Sequence, residues 1–378
     1  MDFGFSEEQE MLRSASRDFL AKECDIPYVR KMMDDERGYT DKVWRQMAEL
    51  GWMGLTLPEA YGGSGLSFVD LVVVLEEMGR MVTPGPFFST VAQGAVALLE
   101  GGSEAQKQAW LPKLAEGKLV ATVAQLEPSG RWDADGIALE AKPDGGGYRL
   151  SGTKLFVPDG HTADLLIVAG RAPGSKGRDG VGLFLVDRTA KGMRTTLLKT
   201  MDQTRKLAEV TLENVTVGAD RLLGAVGDGW RLLERIVDRG KVALCAEMCG
   251  GAQRVLDMSV EYAKVREQFG RPIGSFQAIQ HKCANMLVEV ESSKSITYYA
   301  GWAVANDVPE APLAAAMAKA YCSDAYRHTA GEGIQIHGGI GFTWEHDMHL
   351  YFKRAKSSEV TFGDATWNRE IVAQLINL

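Results

Sequence analysis

The chain has 378 residues and a formal net charge of -8 at pH 7, with 45% hydrophobic and 24% charged residues. This length exceeds what one small core requires, and the composition is that of a folded globular protein rather than a disordered or collagen-like one. The negative charge gives no electrostatic attraction to nucleic acid or to an anionic membrane, so neither is expected as a partner.

The amino-terminal segment predicts a helix rather than an export signal. Its first residues, MDFGFSEEQE, are acidic where a secretory signal is basic, and no uninterrupted apolar run in the chain reaches about 18 residues. Ser6 can cap a helix together with Gln9, and apolar residues then recur on one face. We therefore expect a cytoplasmic protein that begins with a helix.

Three further segments before residue 118 have helical spacing. Apolar residues repeat in this way over 43–50, which ends at Gly51, and over 68–78 and 106–114. Residues 1–118 are therefore predicted to form an N-terminal helical domain.

The middle of the chain has the pattern of short strands. Residues 165–168 and 181–186 are apolar runs, residues 208–212 alternate, and glycine-rich turns separate such segments. This pattern predicts a small antiparallel barrel or sandwich over 119–226. The helical period returns after Gly229 and continues to the end, so 227–378 is predicted to be a helical domain.

Two common classes of site are absent from the sequence. There is no GxxxxGK[ST], and no GxGxxG lies between a strand and a helix, which argues against a Rossmann dehydrogenase. The five cysteines are scattered without CxxC spacing, so reduced, mostly buried thiols are expected rather than disulfides or a zinc site.

Four stretches occur in an order that is typical of one family. They are Tyr61-Gly-Gly-Ser-Gly-Leu-Ser, Leu126-Glu-Pro followed by Gly152-Thr-Lys-Leu-Phe, Arg266-Glu-Gln-Phe-Gly-Arg, and Gln335-Ile-His-Gly-Gly-Ile-Gly-Phe. Over its whole length the chain resembles an acyl-CoA dehydrogenase. The resemblance implies an α+β fold with an N-terminal helical domain, a middle antiparallel β-barrel or sandwich, and a C-terminal four-helix bundle.

The resemblance also implies FAD bound at a subunit interface, with the flavin ring in one protomer and the ADP half held by its neighbour. The residues that would meet the ADP half are all present: a guanidinium suits phosphate oxygens, an aromatic ring packs on adenosine, and glycines permit close backbone approach. The residues are Arg266, Gln268, Phe269, Gln335, Gly338 and Gly339. Taken singly, each of them is equally explained by a structural role at a helix end or in a turn.

The flavin-facing half departs from the family pattern at three hydroxyl positions. Leu126, Trp132 and Pro158 stand where the family has threonine, serine and threonine. At about 0.5 to 1.5 kcal/mol for each neutral hydrogen bond, losing three weakens flavin binding by about one to three orders of magnitude.

The catalytic base is also missing from both positions where the family carries it. Desaturation removes an α-proton from the thioester, which requires a carboxylate beside that carbon. Phe362 stands in the usual glutamate slot, and Gly240 stands in the alternative slot. Asp364 and Glu247 are weak substitutes, because Asp364 can equally cap the last helix and Glu247 can be an ion-paired helix residue.

Other site residues follow from the same resemblance. Asp238 matches a position that contacts CoA, and Lys241 stands where an arginine usually supports the active-site loop. The stretch Trp344-Glu-His-Asp-Met-His349 has two histidines without a clear third ligand, so no metal is assigned.

Three hypotheses remain open. The main one is an acyl-CoA dehydrogenase subunit whose homologous partner supplies the glutamate in an α2β2 heterotetramer, with electron-transfer flavoprotein as the acceptor. The stretches Phe362-Gly-Asp, Val157-Pro-Asp and Gly341-Phe-Thr-Trp-Glu-His together resemble a subgroup found in such complexes. That resemblance implies an acyl-CoA with a bulky, ring-bearing or branched chain, steroid side chains among them. The second is a self-sufficient homotetramer with an unusual base. The third is a nonenzymatic FAD- or CoA-binding structural subunit.

Overall fold

The computed structural model describes residues 4–225 and 227–378. Residues 1–3 and Val226, the predicted boundary of the middle domain, lie outside the described part. The helices are α1 Glu7–Glu23, α2 Ile26–Asp34, α3 Asp41–Glu49, α4 Phe68–Arg80, α5 Val96–Gly101, α6 Glu104–Ala115, α7 Gly229–Val265, α8 Gln277–Ala305, α9 Ala311–His337, α10 Met348–Val360 and α11 Ala365–Leu375.

The strands lie between α6 and α8. They are β1 Ala121–Ala124, β2 Glu140–Asp144, β3 Gly147–Pro158, β4 Leu165–Arg171, β5 Val181–Asp187, β6 Met193–Leu197, β7 Leu207–Gly218, β8 Leu222–Leu223, β9 Glu267–Gln268 and β10 Arg271–Pro272. The predicted order of helices, strands and helices is confirmed. The division into 1–118, 119–226 and 227–378 as domains stays a prediction.

Eight strands form one sheet in the order β6-β7-β3-β2-β4-β5-β8, with β1 beside β4. Most neighbouring strands run antiparallel, as predicted, whereas β4 pairs in parallel with both β1 and β2. The apolar runs of β4 and β5 are almost wholly buried because they lie inside this sheet, with covering on both faces.

Backbone contacts divide the chain into two compact units. The first contains 68–83 and 241–378 with the described residues up to Lys31, and the second contains 32–67 and 84–240. In the first unit, α4 and α7 touch backbone to backbone: a Cβ added at Gly250 would lie 1.7 Å from the carbonyl oxygen of Glu76. Only glycine permits that approach.

Local sequence signals explain several boundaries. Ser6 and Gln9 form the predicted capping box of α1, and Thr40 caps α3 by accepting from the N–H of Val43. The segment Phe88–Ala95 is a π-helix, which the sequence did not predict. None of the described helices combines the length and apolar character needed to cross a membrane.

Candidate functional site

A short hairpin after α7 carries the first group of predicted nucleotide-binding residues. β9 and β10 pair antiparallel around the two turn residues Phe269 and Gly270, which have φ of 53° and 76°. Two consecutive positive φ values fit a tight hairpin turn, but they are costly for phenylalanine. The Phe269 ring is 93% exposed, so this strained turn presents an aromatic surface outward.

Arg266 lies at the base of the same hairpin. Its N–H bonds to the carbonyl oxygen of Tyr262 at 2.8 Å, and its own carbonyl accepts from Ile273 at 2.7 Å. The side chain is exposed, and within 4–225 and 227–378 no carboxylate lies at ion-pair distance from it. A guanidinium with no protein anion is suited to a phosphate.

The second group lies where α9 ends. Gln335 is exposed on the last turn, and Gly338 leaves the helix with φ of 63°. A Cβ added at Gly338 or Gly339 would meet nothing within 4 Å, so the backbone here is open to an approaching ligand. The rings of Tyr262 and His337 stack at 4.5 Å and bring the two groups together. We call these two segments the nucleotide cradle. Its six predicted residues are Arg266, Gln268, Phe269, Gln335, Gly338 and Gly339.

The loop that would face the flavin lies in the second unit and is held by a buried ion pair. The Nζ of Lys154 donates to a Glu127 carboxylate oxygen at 2.6 Å, and that carboxylate accepts from the N–H groups of Ala138 and Leu139. Burial lowers the pKa of Lys154 to about 8, against the opposing effect of Glu127. Both residues belong to motifs of the sequence, but neither motif predicts this ion pair.

Two of the three positions without hydroxyls, Leu126 and Pro158, hold neighbouring segments through their backbone carbonyls. Leu126 accepts from the N–H of Leu155 at 2.8 Å, and the Pro158 carbonyl accepts from the Thr122 hydroxyl at 2.6 Å. Phe156 is half exposed with φ of 52°, at a bulge in the pairing of β3 with β7. The side chains of Leu126, Trp132 and Pro158 offer no hydroxyl to a flavin.

The two positions predicted for the base have distinct environments. Phe362 is 4% exposed with φ of 60°, in the turn between α10 and α11. Gly240 is buried within α7. Neither position supplies a proton acceptor.

The two substitute acids both have structural partners. Asp364 is exposed and caps α11, since its carboxylate accepts from the N–H of Trp367 at 2.8 Å. Glu247 is 6% exposed and lies 3.9 Å from the guanidinium of buried Arg354. These contacts match the structural alternatives for the two residues, while their candidacy as base stays a prediction.

Asp238 and Lys241 lie one turn apart on α7, with Lys241 buried and Asp238 partly exposed. Their predicted contacts with CoA and with the active-site loop stay predictions.

Lys319 is fully buried on α9 and was not among the predicted site residues. Its Nζ donates to the carbonyls of Glu359 and Gly363, both at 2.9 Å, and so fixes the turn that contains Phe362. A single lysine in an alanine-rich helix gives no sequence signal for this role.

Residues of the stretch 344–349 have partners within the protein. His349 stacks on Trp344, and Asp347 pairs with Arg30 at 2.9 Å. Among the residues that the structure describes, no group of three or more His, Cys, Asp or Glu could hold a metal ion.

Comparison with known proteins gives consistent matches along the chain. Models of the acyl-CoA dehydrogenase N-terminal, middle and C-terminal domains match residues 6–118, 122–215 and 227–376. The probable acyl-CoA dehydrogenase YngJ of Bacillus subtilis is 32% identical over 99% of both chains. The Tcur3481-Tcur3483 steroid ACAD structure is 33% identical over 98% of both chains, with a TM-score of 0.87. The ChsE4-ChsE5 complex of Mycobacterium tuberculosis is 28% identical, with a TM-score of 0.91 and coverage of 100% of this chain and 99% of that one.

Proposed function

The chain belongs to the acyl-CoA dehydrogenase family, and from that premise we propose that it is one subunit of a heteromeric enzyme whose homologous partner supplies the catalytic glutamate. The family activity is FAD-dependent oxidation of an acyl-CoA at a CH–CH bond. In the proposed assembly this chain binds the ADP half of an FAD whose flavin ring lies in the partner, in an α2β2 arrangement.

The observation that carries the proposal is the environment of Phe362. An aromatic ring that is 4% exposed occupies the turn where the family resemblance predicts the base, and the alternative predicted position is Gly240. Neither side chain can accept the α-proton of a thioester. The nearest acid in sequence, Asp364, is engaged as a helix cap. A self-sufficient homotetramer is therefore the weaker hypothesis.

The residues of the nucleotide cradle support the same proposal, in which this chain binds the ADP half and the partner binds the flavin ring. Arg266 has no carboxylate partner within the described residues, and Gly338 and Gly339 leave the backbone open, so these residues fit a dinucleotide. The hydroxyl positions for the flavin ring are instead Leu126, Trp132 and Pro158. Thus the half of the cofactor site that serves a neighbour is kept, whereas the half that serves this chain has lost donors.

When bound, FAD supplies the hydride acceptor for the β-carbon of the acyl group. The contribution of this chain is to bind and orient. Arg266 neutralises diphosphate charge, and Phe269 packs on the adenosine portion. The glycine turn lets the nucleotide come close to the protein backbone. Asp238 and Lys241 are proposed to keep the outline of a CoA cleft. Electron-transfer flavoprotein is the proposed acceptor.

The proposed substrate class is an acyl-CoA with a bulky or ring-bearing chain. This inference rests on the likeness to the Tcur3481-Tcur3483 steroid ACAD, together with the Phe-Gly-Asp turn at 362–364.

The test is to purify the chain alone and together with a coexpressed homologue that has the glutamate. We expect one FAD for each pair of chains, and dye reduction with acyl-CoA only in the mixture. Full FAD content and turnover by this chain alone would instead establish the homotetramer. A mixture with neither FAD nor activity would favour a nonenzymatic structural subunit.

A further inference from the structure

The two halves of the nucleotide cradle are each fixed to a helix end. The hairpin folds back on α7, because a Cβ added at Gly274 would lie 2.9 Å from the carbonyl oxygen of Ala263. The glycine turn folds back on α9, because a Cβ added at Gly341 would lie 2.9 Å from the carbonyl oxygen of Ile334 and 3.1 Å from the Cβ of His337. The spacing of the halves is therefore set by how the two helix ends meet.

These helix ends meet through aromatic rings. Tyr262, on the last turn of α7, stacks on His337 at 4.5 Å with an interplanar angle of 22°. One turn before His337 on α9, Gly333 lies against Val255 of α7. A Cβ added at Gly333 would be 2.5 Å from the valine side chain. The stack thus continues the contact between α7 and α9 out to the cradle.

The His337 ring is held in one orientation. Its Nδ1 is 2.7 Å from the carbonyl oxygen of Gly333, so this nitrogen carries the proton and donates it. His346 also packs against this ring, with ring centroids 4.6 Å apart. The side chain is 5% exposed, and burial, together with the neighbouring His346, lowers the pKa of His337. The neutral, oriented ring is a fixed spacer.

We propose that His337 is a positioning residue for the nucleotide cradle, setting the distance between Arg266 on one side and Gly338 on the other through its stack on Tyr262. Only its relevance to FAD rests on the proposed function, since the stack itself is a feature of this chain. In this proposal aromatic stacking sets the spacing, and the Nδ1 hydrogen bond orients the ring.

The experiment compares FAD binding by the coexpressed complex carrying His337→Ala, His337→Phe or His281→Ala. His281 is an exposed histidine on α8 and is the matched control. After flavin removal, FAD is titrated back and followed by quenching of flavin fluorescence. We expect the Kd for FAD to rise at least about tenfold in His337→Ala, and to stay within about threefold of the unmodified complex in His337→Phe and His281→Ala.

Two results would overturn the proposal: His337→Ala binding FAD within about threefold of the unmodified complex, or His337→Phe losing as much affinity as His337→Ala. If His337→Ala does not fold, Tyr262→Leu removes the same stack from its more exposed ring, with the same expected loss. An unmodified complex that binds no FAD would contradict the proposed function instead, so the two failures are distinguishable.

Discussion

Arg266 is the side chain on which the proposed phosphate binding depends most. It is exposed and, in the described parts of the chain, has no carboxylate partner, so its substitution removes little from the fold. Charge-assisted hydrogen bonds contribute about 1.5 to 3 kcal/mol, so we expect Arg266→Ala to raise the Kd for FAD of the assembled complex by about 10- to 150-fold.

The measurement is a flavin titration with Arg194→Ala as the control, because Arg194 is an exposed arginine that pairs with Glu213 far from the cradle in sequence. An unchanged Kd in Arg266→Ala would remove the phosphate role, whereas an equal loss in both variants would point to net charge alone.

Lys154 gives a prediction about pH. Burial lowers its pKa from 10.5 to about 8, so below pH 8 the folded protein carries the full cost of a buried charge. Between about pH 8 and 10.5 the unfolded chain still binds this proton while the folded chain has released it, so the free energy of unfolding rises with pH. The shift corresponds to a gain of roughly 3 kcal/mol from this group.

Urea unfolding at pH 7.5 and pH 10.5 checks this gain against the double variant Glu127→Gln, Lys154→Met, which removes both charges of the pair. The rise in stability should be larger in the unmodified chain than in the double variant. An equal rise in the free energy of unfolding between the two pH values in both proteins would mean that Lys154 has the same pKa in the folded and unfolded states.

Asp364, at the start of the last helix, has two candidate roles: helix cap and catalytic base. As a cap, its carboxylate accepts from the N–H of Trp367, and asparagine does this equally well. We expect Asp364→Asn to leave both stability and complex activity unchanged, whereas Asp364→Ala lowers the free energy of unfolding by about 0.5 to 2 kcal/mol. Thermal unfolding and dye reduction measure the two effects. Loss of turnover in Asp364→Asn with unchanged stability would identify it as the base.

Elements whose signals are local were predictable from the sequence. Ser6 and Gln9 lie three residues apart and cap α1, and the alternation over 208–212 lies within β7. The π-helix at Phe88–Ala95 was not predictable, because its register depends on packing against other segments. The same holds for the candidate site: Arg266 belongs to a motif, whereas Lys319 bonds to residues distant in sequence. His337 lies inside a motif too, but its stack on Tyr262 joins two distant segments and has no local signal.

In the proposed assembly the chain as a whole keeps one half of a cofactor site and lacks the other, so we expect no single residue change to give catalysis. Phe362→Glu supplies a carboxylate, but Leu126, Trp132 and Pro158 still offer no hydroxyl to a flavin ring in this chain. We therefore expect Phe362→Glu alone to give no turnover in the isolated protein.

Restoring the three hydroxyls should act first on flavin content. With about 0.5 to 1.5 kcal/mol for each bond, the triple variant Leu126→Thr, Trp132→Ser, Pro158→Thr should tighten FAD binding by the isolated chain about 10- to 1,000-fold. Adding Phe362→Glu to it should then give dye reduction with acyl-CoA, measured against the triple variant as the matched control. Turnover by Phe362→Glu without the hydroxyls would show that this chain already seats a flavin ring, and the division of labour between subunits would fall with that result.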